Sequence, residues 1–194
     1  LGPKALVAQA KPDAQVVDSA PLTLEQTHAV IVEAVARGQS VARVHTGDPS
    51  LYGAVAEQAA LLDRDGIEYA IVPGVTAAFA AAAAAKVSFT VPEATQTLVV
   101  TRMAGRTPAP EAERLRTLAA HGSSLAVYLS AGDPEGLRDE LLAAGLAPDT
   151  PVVAAKAVGW PGEELARTTV AGLADCARER GFTRQTVYLV LPGE

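Results

Sequence analysis

Short apolar segments alternate with amphipathic segments along the carboxy-terminal half of the chain. Each apolar segment is bounded by turn-forming residues and is too short for a buried helix, so each predicts a β-strand. The segments between them have helical spacing, and Asp133-Pro134 has the residues of a helix start. Short links between the last strands favour a mixed sheet. The predicted strands are Thr97–Arg102, Ser124–Leu129, Pro151–Ala155, Leu165–Val170 and Gln185–Leu191, and the predicted helices are Glu111–Ala120, 133–145 and Gly172–Arg180.

The amino-terminal half shows the same alternation. Thr23 and Gln26 have the spacing of a capping box, which predicts that a helix begins there. A second helix is predicted over Leu51–Leu62, with Ser50 as its cap, and a third over the alanine run that ends at Ala85. Strands are predicted at 15–18, 40–44 and 68–72. The chain is therefore predicted to be α/β, with two α/β domains at residues 1–94 and 95–194.

Composition and charge exclude several classes of function. Of the 194 residues, 49% are apolar and few are aromatic, which is typical of a compact α/β enzyme. A net charge of −6 without a run of Lys or Arg argues against nucleic acid as a partner. The single cysteine, Cys176, excludes an internal disulfide and fits the reducing cytoplasm. The three histidines are scattered, so no metal site is expected. No apolar run approaches the roughly 20 residues of a membrane span.

The stretch His45–Ala54 carries the first candidate site. It lies between a predicted strand and a predicted helix, where open α/β sheets bind ligands. Gly47 allows a tight turn, Pro49 stiffens its exit, and Asp48 offers a carboxylate to a ligand with hydroxyl or ammonium donors. The alternative is that Asp48 only closes the turn. Thr76, in the first turn of the next predicted strand–loop–helix unit, is expected at the same sheet edge.

Arg102 and Arg106 form the second candidate site. They lie at the end of a predicted strand, in a loop that contains Gly105 and two prolines. Arginine favours carboxylate or phosphate partners because its planar fork donates two parallel hydrogen bonds. The alternative is surface ion pairing with Glu111 or Glu113.

Four motifs, in their order and spacing, resemble the tetrapyrrole methylases. They are His45-Thr46-Gly47-Asp48-Pro49-Ser50-Leu51-Tyr52-Gly53-Ala54, Pro73-Gly74-Val75, Thr101-Arg102 with Gly105-Arg106-Thr107-Pro108, and Trp160-Pro161 before Glu163. The resemblance covers the whole chain. The form of the first and third motifs resembles most the members that methylate precorrin-4, or cobalt-precorrin-4, at C11 in cobalamin biosynthesis. Family members begin with a strand and a Gly/Pro-rich loop, and we expect such a segment to be missing before Leu1.

The resemblance implies a cytoplasmic homodimer that holds S-adenosylmethionine in a cleft between two α/β domains, with a tetrapyrrole (precorrin) substrate and no metal. It implies that Arg102 and Arg106 bind the carboxylates of the substrate. The residues that it assigns to the cofactor are Gly47, Asp48, Pro49, Tyr52, Thr76, Ala77 and Leu129.

Methyl transfer requires few catalytic side chains, because the enzyme contributes mainly alignment of the sulfonium donor with its acceptor and exclusion of water. The sequence shows no nucleophile–base pair, so any catalytic residue is unknown. Two alternatives stay open at this point. One is methylation at another ring position, and the other is a non-catalytic relative that binds S-adenosylmethionine or a tetrapyrrole.

Overall fold

A computed structural model of the chain describes residues 8–105 and 108–194. The chain forms two compact units, which divide between Thr76 and Ala77. The domain ranges 1–94 and 95–194 stay a prediction. Across the described residues, no helix is long and apolar enough to cross a membrane.

The first unit contains two helices, α1 at Leu24–Ala36 and α2 at Val55–Arg64. The predicted capping box is confirmed, because the Thr23 side chain accepts from the Gln26 N–H while the Gln26 side chain accepts from the Thr23 N–H. Buried Ile31 of α1 and Leu62 of α2 lie on the packed faces. His28 Nε2 lies 2.7 Å from Asp65 Oδ2, so a polar pair also joins the two helices.

The three strands predicted in the first unit are wrong. Residues 15–18, 40–44 and 68–72 have no strand in the structure, and no strand lies between residues 8 and 76. An apolar alternation makes a strand only where a neighbouring backbone completes the ladder and another layer covers the apolar face. Here Val44 is 56% exposed and Val72 76% exposed, so that cover is lacking.

The second predicted helix begins later than expected. It starts at Val55, and its first flanking residue, Ala54, has a left-handed φ of 51° and makes no side-chain cap. Ser50 therefore is not the cap of this helix. Its N–H and hydroxyl bind the Asp48 carboxylate instead, which competes with helix formation over 51–54.

The second unit is built on a five-stranded mixed sheet, as the sequence predicts. In the order β1-β2-β5-β3-β4, β1 and β2 are parallel and the other neighbours are antiparallel. Because β2 and β3 both run opposite to β5, the strands β1, β2 and β3 end at one edge of the sheet, here called the carboxyl edge. The strands are β1 Leu98–Arg102, β2 Ser124–Tyr128, β3 Pro151–Lys156, β4 Glu164–Thr169 and β5 Thr186–Val190.

The helices of the second unit also follow the predicted pattern. The Asp133 side chain accepts from the Gly136 N–H at 2.9 Å and caps the helix that begins at Pro134. The predicted helix 111–120 is split into a 3-10 turn and a short α-helix. The helices are α3 Ala77–Ala85, the 3-10 helix Glu111–Glu113, α4 Leu115–Ala119, α5 Pro134–Ala143 and α6 Leu173–Glu179.

Alternate residues of the strands supply two cores, one on each face of the sheet. Leu125 and Val127 of β2 pack on the face that α4, α5 and α6 cover. Ala126 lies on the opposite face, with Leu189 of β5 and the buried alanines of α3. This period of two is what sequence alternation predicts for a sheet covered on both faces. The α/β fold class is confirmed.

Candidate functional site

The loop 45–54 is tied to the loop 73–75 by Asp48, within the first unit. Asp48 Oδ1 accepts from the Ser50 N–H at 2.9 Å and from the Ser50 hydroxyl, and Oδ2 accepts from the Gly74 N–H at 2.9 Å. One carboxylate therefore fixes its own turn and also a second loop. The turn-closing role that the sequence left open is present in the geometry, and it joins two of the motifs.

Two glycines allow the backbones of this site to approach closely. A Cβ on Gly74 would lie 2.4 Å from the Gly47 carbonyl oxygen, and a Cβ on Gly53 would lie 2.2 Å from the Pro49 carbonyl oxygen. No side chain fits at such distances without moving the backbone. Steric exclusion of a side chain thus explains why these two motif positions are glycine, which the sequence pattern alone does not explain.

Hydrogen bonds lower the pKa of Asp48 below its ordinary value of 3.8. The Ser50 hydroxyl is the main cause, followed by the N–H groups of Gly74 and Ser50. The carboxylate therefore stays ionised and places a negative charge between the two loops. Nearby, partial burial and the charge of Arg43 lower the pKa of His45.

Tyr52 and Pro49 complete the predicted loop residues of the first unit. Tyr52 is 46% exposed and has a left-handed φ of 56°, whereas Pro49 is buried. A non-glycine residue at such a φ is held by its surroundings and is typical of functional loops. Thr76, the last residue of this unit, is half-buried.

In the second unit, Arg102 and Tyr128 are neighbours at the carboxyl edge. They are paired in register at the ends of β1 and β2, so both side chains project from the face that α3 covers. One Arg102 guanidinium nitrogen donates to the Met103 carbonyl oxygen at 3.0 Å. The predicted cationic residue is therefore half-buried at a strand end.

Tyr128 also fixes the beginning of α3. Its hydroxyl oxygen accepts from the Ala78 N–H at 2.7 Å, next to Ala77, the first residue of the helix. The sequence prediction assigns no role to Tyr128. The signal that was available is a polar aromatic residue next to the end of a predicted strand, where α/β sheets present ligand contacts.

Leu129 follows directly and is 71% exposed, with a left-handed φ of 53°. The next residue, Ser130, is buried and links the two strand ends. Its hydroxyl donates to the Tyr128 carbonyl oxygen at 2.8 Å and accepts from the Met103 N–H at 3.1 Å. These bonds turn the chain sharply after β2, and they leave the Leu129 side chain outside the core.

Arg106 lies outside the described residues, so its prediction has no structural outcome. Of the two acidic residues considered as ion-pair partners, Glu111 is paired with Arg114 at 2.8 Å. Within residues 8–105 and 108–194, no group of three His, Cys, Asp or Glu side chains is arranged to hold a metal ion.

Comparisons with known proteins agree with the motifs. Residues 3–174 match the family model of the Tetrapyrrole (Corrin/Porphyrin) Methylases. The Cobalt-precorrin-4 C(11)-methyltransferase of Priestia megaterium is 45% identical over 184 residues, which are 95% of this chain and 71% of that protein.

Two solved structures extend the comparison. The X-ray structure of a cobalamin biosynthetic enzyme, the cobalt precorrin-4 methyltransferase CbiF, has a TM-score of 0.93 and 44% identity, and the match covers 97% of this chain and 79% of that chain. Uroporphyrin-III C-methyl transferase from Thermus thermophilus, complexed with S-adenyl homocysteine, has a TM-score of 0.66 at 21% identity, covering 86% and 72%. This second likeness supports the fold alone. From the family model and the identity with the Priestia protein, the chain belongs to the tetrapyrrole (corrin/porphyrin) methylases.

Proposed function

We propose that the chain is an S-adenosylmethionine-dependent methyltransferase that methylates precorrin-4, or cobalt-precorrin-4, at C11 in cobalamin biosynthesis. The observation that carries this proposal is the extent of the likeness to a cobalt precorrin-4 methyltransferase, which covers 97% of this chain at 44% identity. A relative named for the same reaction is 45% identical over 95% of the chain.

The residues proposed for the cofactor suit its chemistry. The ionised carboxylate of Asp48 complements the sulfonium and ammonium charges of S-adenosylmethionine. The exposed side chains of Tyr52 and Leu129 offer apolar surface to its adenosine part. Gly74 lets the loop 73–75 lie against the Gly47 carbonyl oxygen, where a Cβ would clash at 2.4 Å. The full proposed set is Gly47, Asp48, Pro49, Tyr52, Thr76, Ala77 and Leu129.

In this proposal the chain contributes alignment. Bound S-adenosylmethionine supplies an electrophilic methyl group on a sulfonium sulfur. The hydrogen bonds of Asp48 hold two loops in fixed positions before any ligand arrives, so little ordering is left to the binding step. Holding two reactants in a productive orientation lowers the activation free energy by roughly 7–11 kcal/mol. Transfer would break the bond between sulfur and the methyl carbon, release S-adenosylhomocysteine and leave the methylated tetrapyrrole with one proton to lose, for which no acid–base residue is assigned.

Arg102 and Arg106 are proposed to bind the substrate. Precorrins carry many acetate and propionate carboxylates, and a protein of net charge −6 cannot attract such a polyanion by its overall field. Local cations must do so. Arg102 suits this role because it is half-buried at a strand end, where its side chain loses little freedom on binding. A homodimer and a cytoplasmic location stay predictions of the sequence.

The test is an assay of the purified chain with S-adenosylmethionine carrying a ¹³C-labelled methyl group. Precorrin-4 and cobalt-precorrin-4 are the two substrates. We expect one labelled methyl group in the product by mass spectrometry and a carbon spectrum that places it at C11. A label at another carbon would replace the proposal with a different ring position. Binding of both ligands without any transfer would replace it with a non-catalytic role.

A further inference from the structure

Two hydroxyl groups of strand β2 bind the backbone of residues 77–89, here called the α3 segment because they contain α3. At the carboxyl end of β2, the Tyr128 hydroxyl accepts from the Ala78 N–H at 2.7 Å. At the amino end of β2, the Ser124 hydroxyl donates to the carbonyl oxygen of Phe89, which follows α3, also at 2.7 Å. Tyr128 and Ser124 are an even number of residues apart on one strand, so they project from the same face of the sheet.

These end contacts matter because of the composition of α3. Eight of its nine residues are alanine, in the sequence AAFAAAAAA, and Ala78, Ala81 and Ala82 are buried against the sheet. Methyl groups interlock weakly with a sheet, so a helix of alanines can slide along its axis more easily than one with large side chains. The directional bond at Ala78 therefore matters most for where the helix begins, while Arg167 donates to the Ala85 carbonyl oxygen at the other end of α3 at 2.6 Å.

The Ala78 N–H also belongs to the first turn of a helix, where backbone N–H groups have no partner within the helix. Ala78 is fully buried, so water does not satisfy this group. The Tyr128 hydroxyl is the acceptor that the structure gives it. Loss of the hydroxyl would leave a buried donor unpaired, and the turn would shift to relieve it.

We propose that Tyr128 is a positioning residue for the cofactor. By holding the Ala78 N–H, it fixes the first turn of α3 and with it the backbone of Ala77. This inference rests on the proposed function, in which Ala77 contacts S-adenosylmethionine. Tyr128 acts through Ala77 and Ala78, and it borders Arg102 in the strand register, so it connects the cofactor contact and the substrate cation at one sheet edge.

The experiment compares Tyr128→Phe with Ser124→Ala. Each variant removes one hydroxyl of the same strand, on the same face, and each breaks one 2.7 Å bond to the α3 segment. Only Tyr128 adjoins the proposed cofactor contact. The measurements are the urea midpoint, the Kd for S-adenosylhomocysteine by calorimetry, and hydrogen exchange at the Ala78 amide.

We expect Tyr128→Phe to raise the Kd for S-adenosylhomocysteine by about five- to tenfold, which corresponds to one lost hydrogen bond. The Ala78 amide should exchange about tenfold faster. Ser124→Ala should change the Kd by less than about twofold at a similar loss of stability. In steady state, Tyr128→Phe should raise KM for S-adenosylmethionine while kcat stays nearly constant, because uniform binding is what is lost.

Two results would overturn the inference alone. One is an unchanged Kd in Tyr128→Phe while the unsubstituted chain binds S-adenosylhomocysteine. The other is an equal loss of affinity in both variants. That result would mean that the two bonds affect binding through the stability of α3 and that Tyr128 does not position its first turn. Failure of the unsubstituted chain to bind S-adenosylhomocysteine would overturn the proposed function, and the inference with it.

Discussion

The two compact units carry similar patterns of apolar residues, yet among the residues that the structure describes only the second unit forms strands. Val127 in β2 and Val153 in β3 are at most 2% exposed, whereas Val41 and Val44, in a segment that the sequence predicts to be a strand, are 43% and 56% exposed. The first pair lies in a sheet with helices on both faces, and the second pair lies in a segment without a strand. Alternation of apolar residues thus indicates that a segment is suited to a β-sheet. Whether it forms a strand depends on a neighbouring backbone that completes the hydrogen bonds.

The site residues differ between the units in the same way. Within the first unit, the predicted residues are held by side-chain bonds to backbone, above all those of Asp48. In the second unit, Arg102 and Tyr128 are held because they end neighbouring strands of a complete sheet, and Leu129 follows β2 directly. Each unit therefore offers a different way to disturb the site, and the predictions below use that difference.

The largest effect should come from the core of the second unit. Leu125→Ala removes a fully buried side chain, and we expect it to lower the free energy of unfolding by about 2–5 kcal/mol. Val44→Ala, at an exposed position, should change it by less than about 0.5 kcal/mol. Urea denaturation of both variants measures this. Equal losses would show that residues 40–44 are buried in solution and would remove the contrast between the units.

Arg102 should matter to the substrate and not to the cofactor. Arg102→Ala should raise KM for the tetrapyrrole by about ten- to a hundredfold, since one charge-assisted contact to a carboxylate is lost. Arg102→Lys should recover only part of this, because an ammonium cannot donate the bidentate pair. Titration of S-adenosylhomocysteine into the same variants is the control. A parallel loss of that ligand would mean a structural defect at the end of β1.

Gly74→Ala should disturb the first unit alone. Its Cβ would meet the Gly47 carbonyl oxygen at 2.4 Å, so the two loops must separate, at a cost of about 1–3 kcal/mol. We expect the Kd for S-adenosylhomocysteine to rise by about tenfold. The control is Gly132→Ala, where a Cβ meets nothing within 4 Å. The two variants should differ in binding, and identical affinities would contradict the contact between the loops.

The smallest expected effect is a shift in the pKa of Asp48. The pKa of Asp48 is lowered in the folded chain, so the Gly74 amide signal should shift with a midpoint below 3.8 in an NMR titration. Because the folded pKa is depressed, the stability from this carboxylate is present above 3.8 and is lost as the pH falls through the lowered pKa. In Ser50→Ala the midpoint should move back toward 3.8. A midpoint at or above 3.8 in the unsubstituted chain would mean that the carboxylate is not held as described.

Much of the fold could be predicted from the sequence because its signals are local. The capping residues Thr23 and Asp133 and the strands of the mixed sheet needed only spacing and residue type. The failures have two causes: a local hydrogen bond that competes with a helix cap, and the lack of a non-local partner strand. Ser50 bonds to Asp48 instead of capping a helix, and the strand at 40–44 lacks a ladder.

The site was predictable as a set of motifs but not as a set of contacts. Sequence reasoning could place Asp48 in a turn, but its bond to the Gly74 N–H joins residues 26 positions apart. The bond from the Ala78 N–H to Tyr128 spans 50 positions. No spacing rule in the sequence reports such pairs, since they depend on how the loops and strands fold together.

Hydrogen exchange with and without S-adenosylhomocysteine tests most directly the central proposal that the cofactor contacts residues of the loop 45–54, of the loop 73–75 and of the beginning of α3. It follows the backbone amides of Gly47, Gly74 and Ala77, one from each segment. We expect all three to exchange more slowly when the ligand is bound, while the core amides of β3 stay unchanged. Binding of the ligand with unchanged exchange at all three amides would contradict the account.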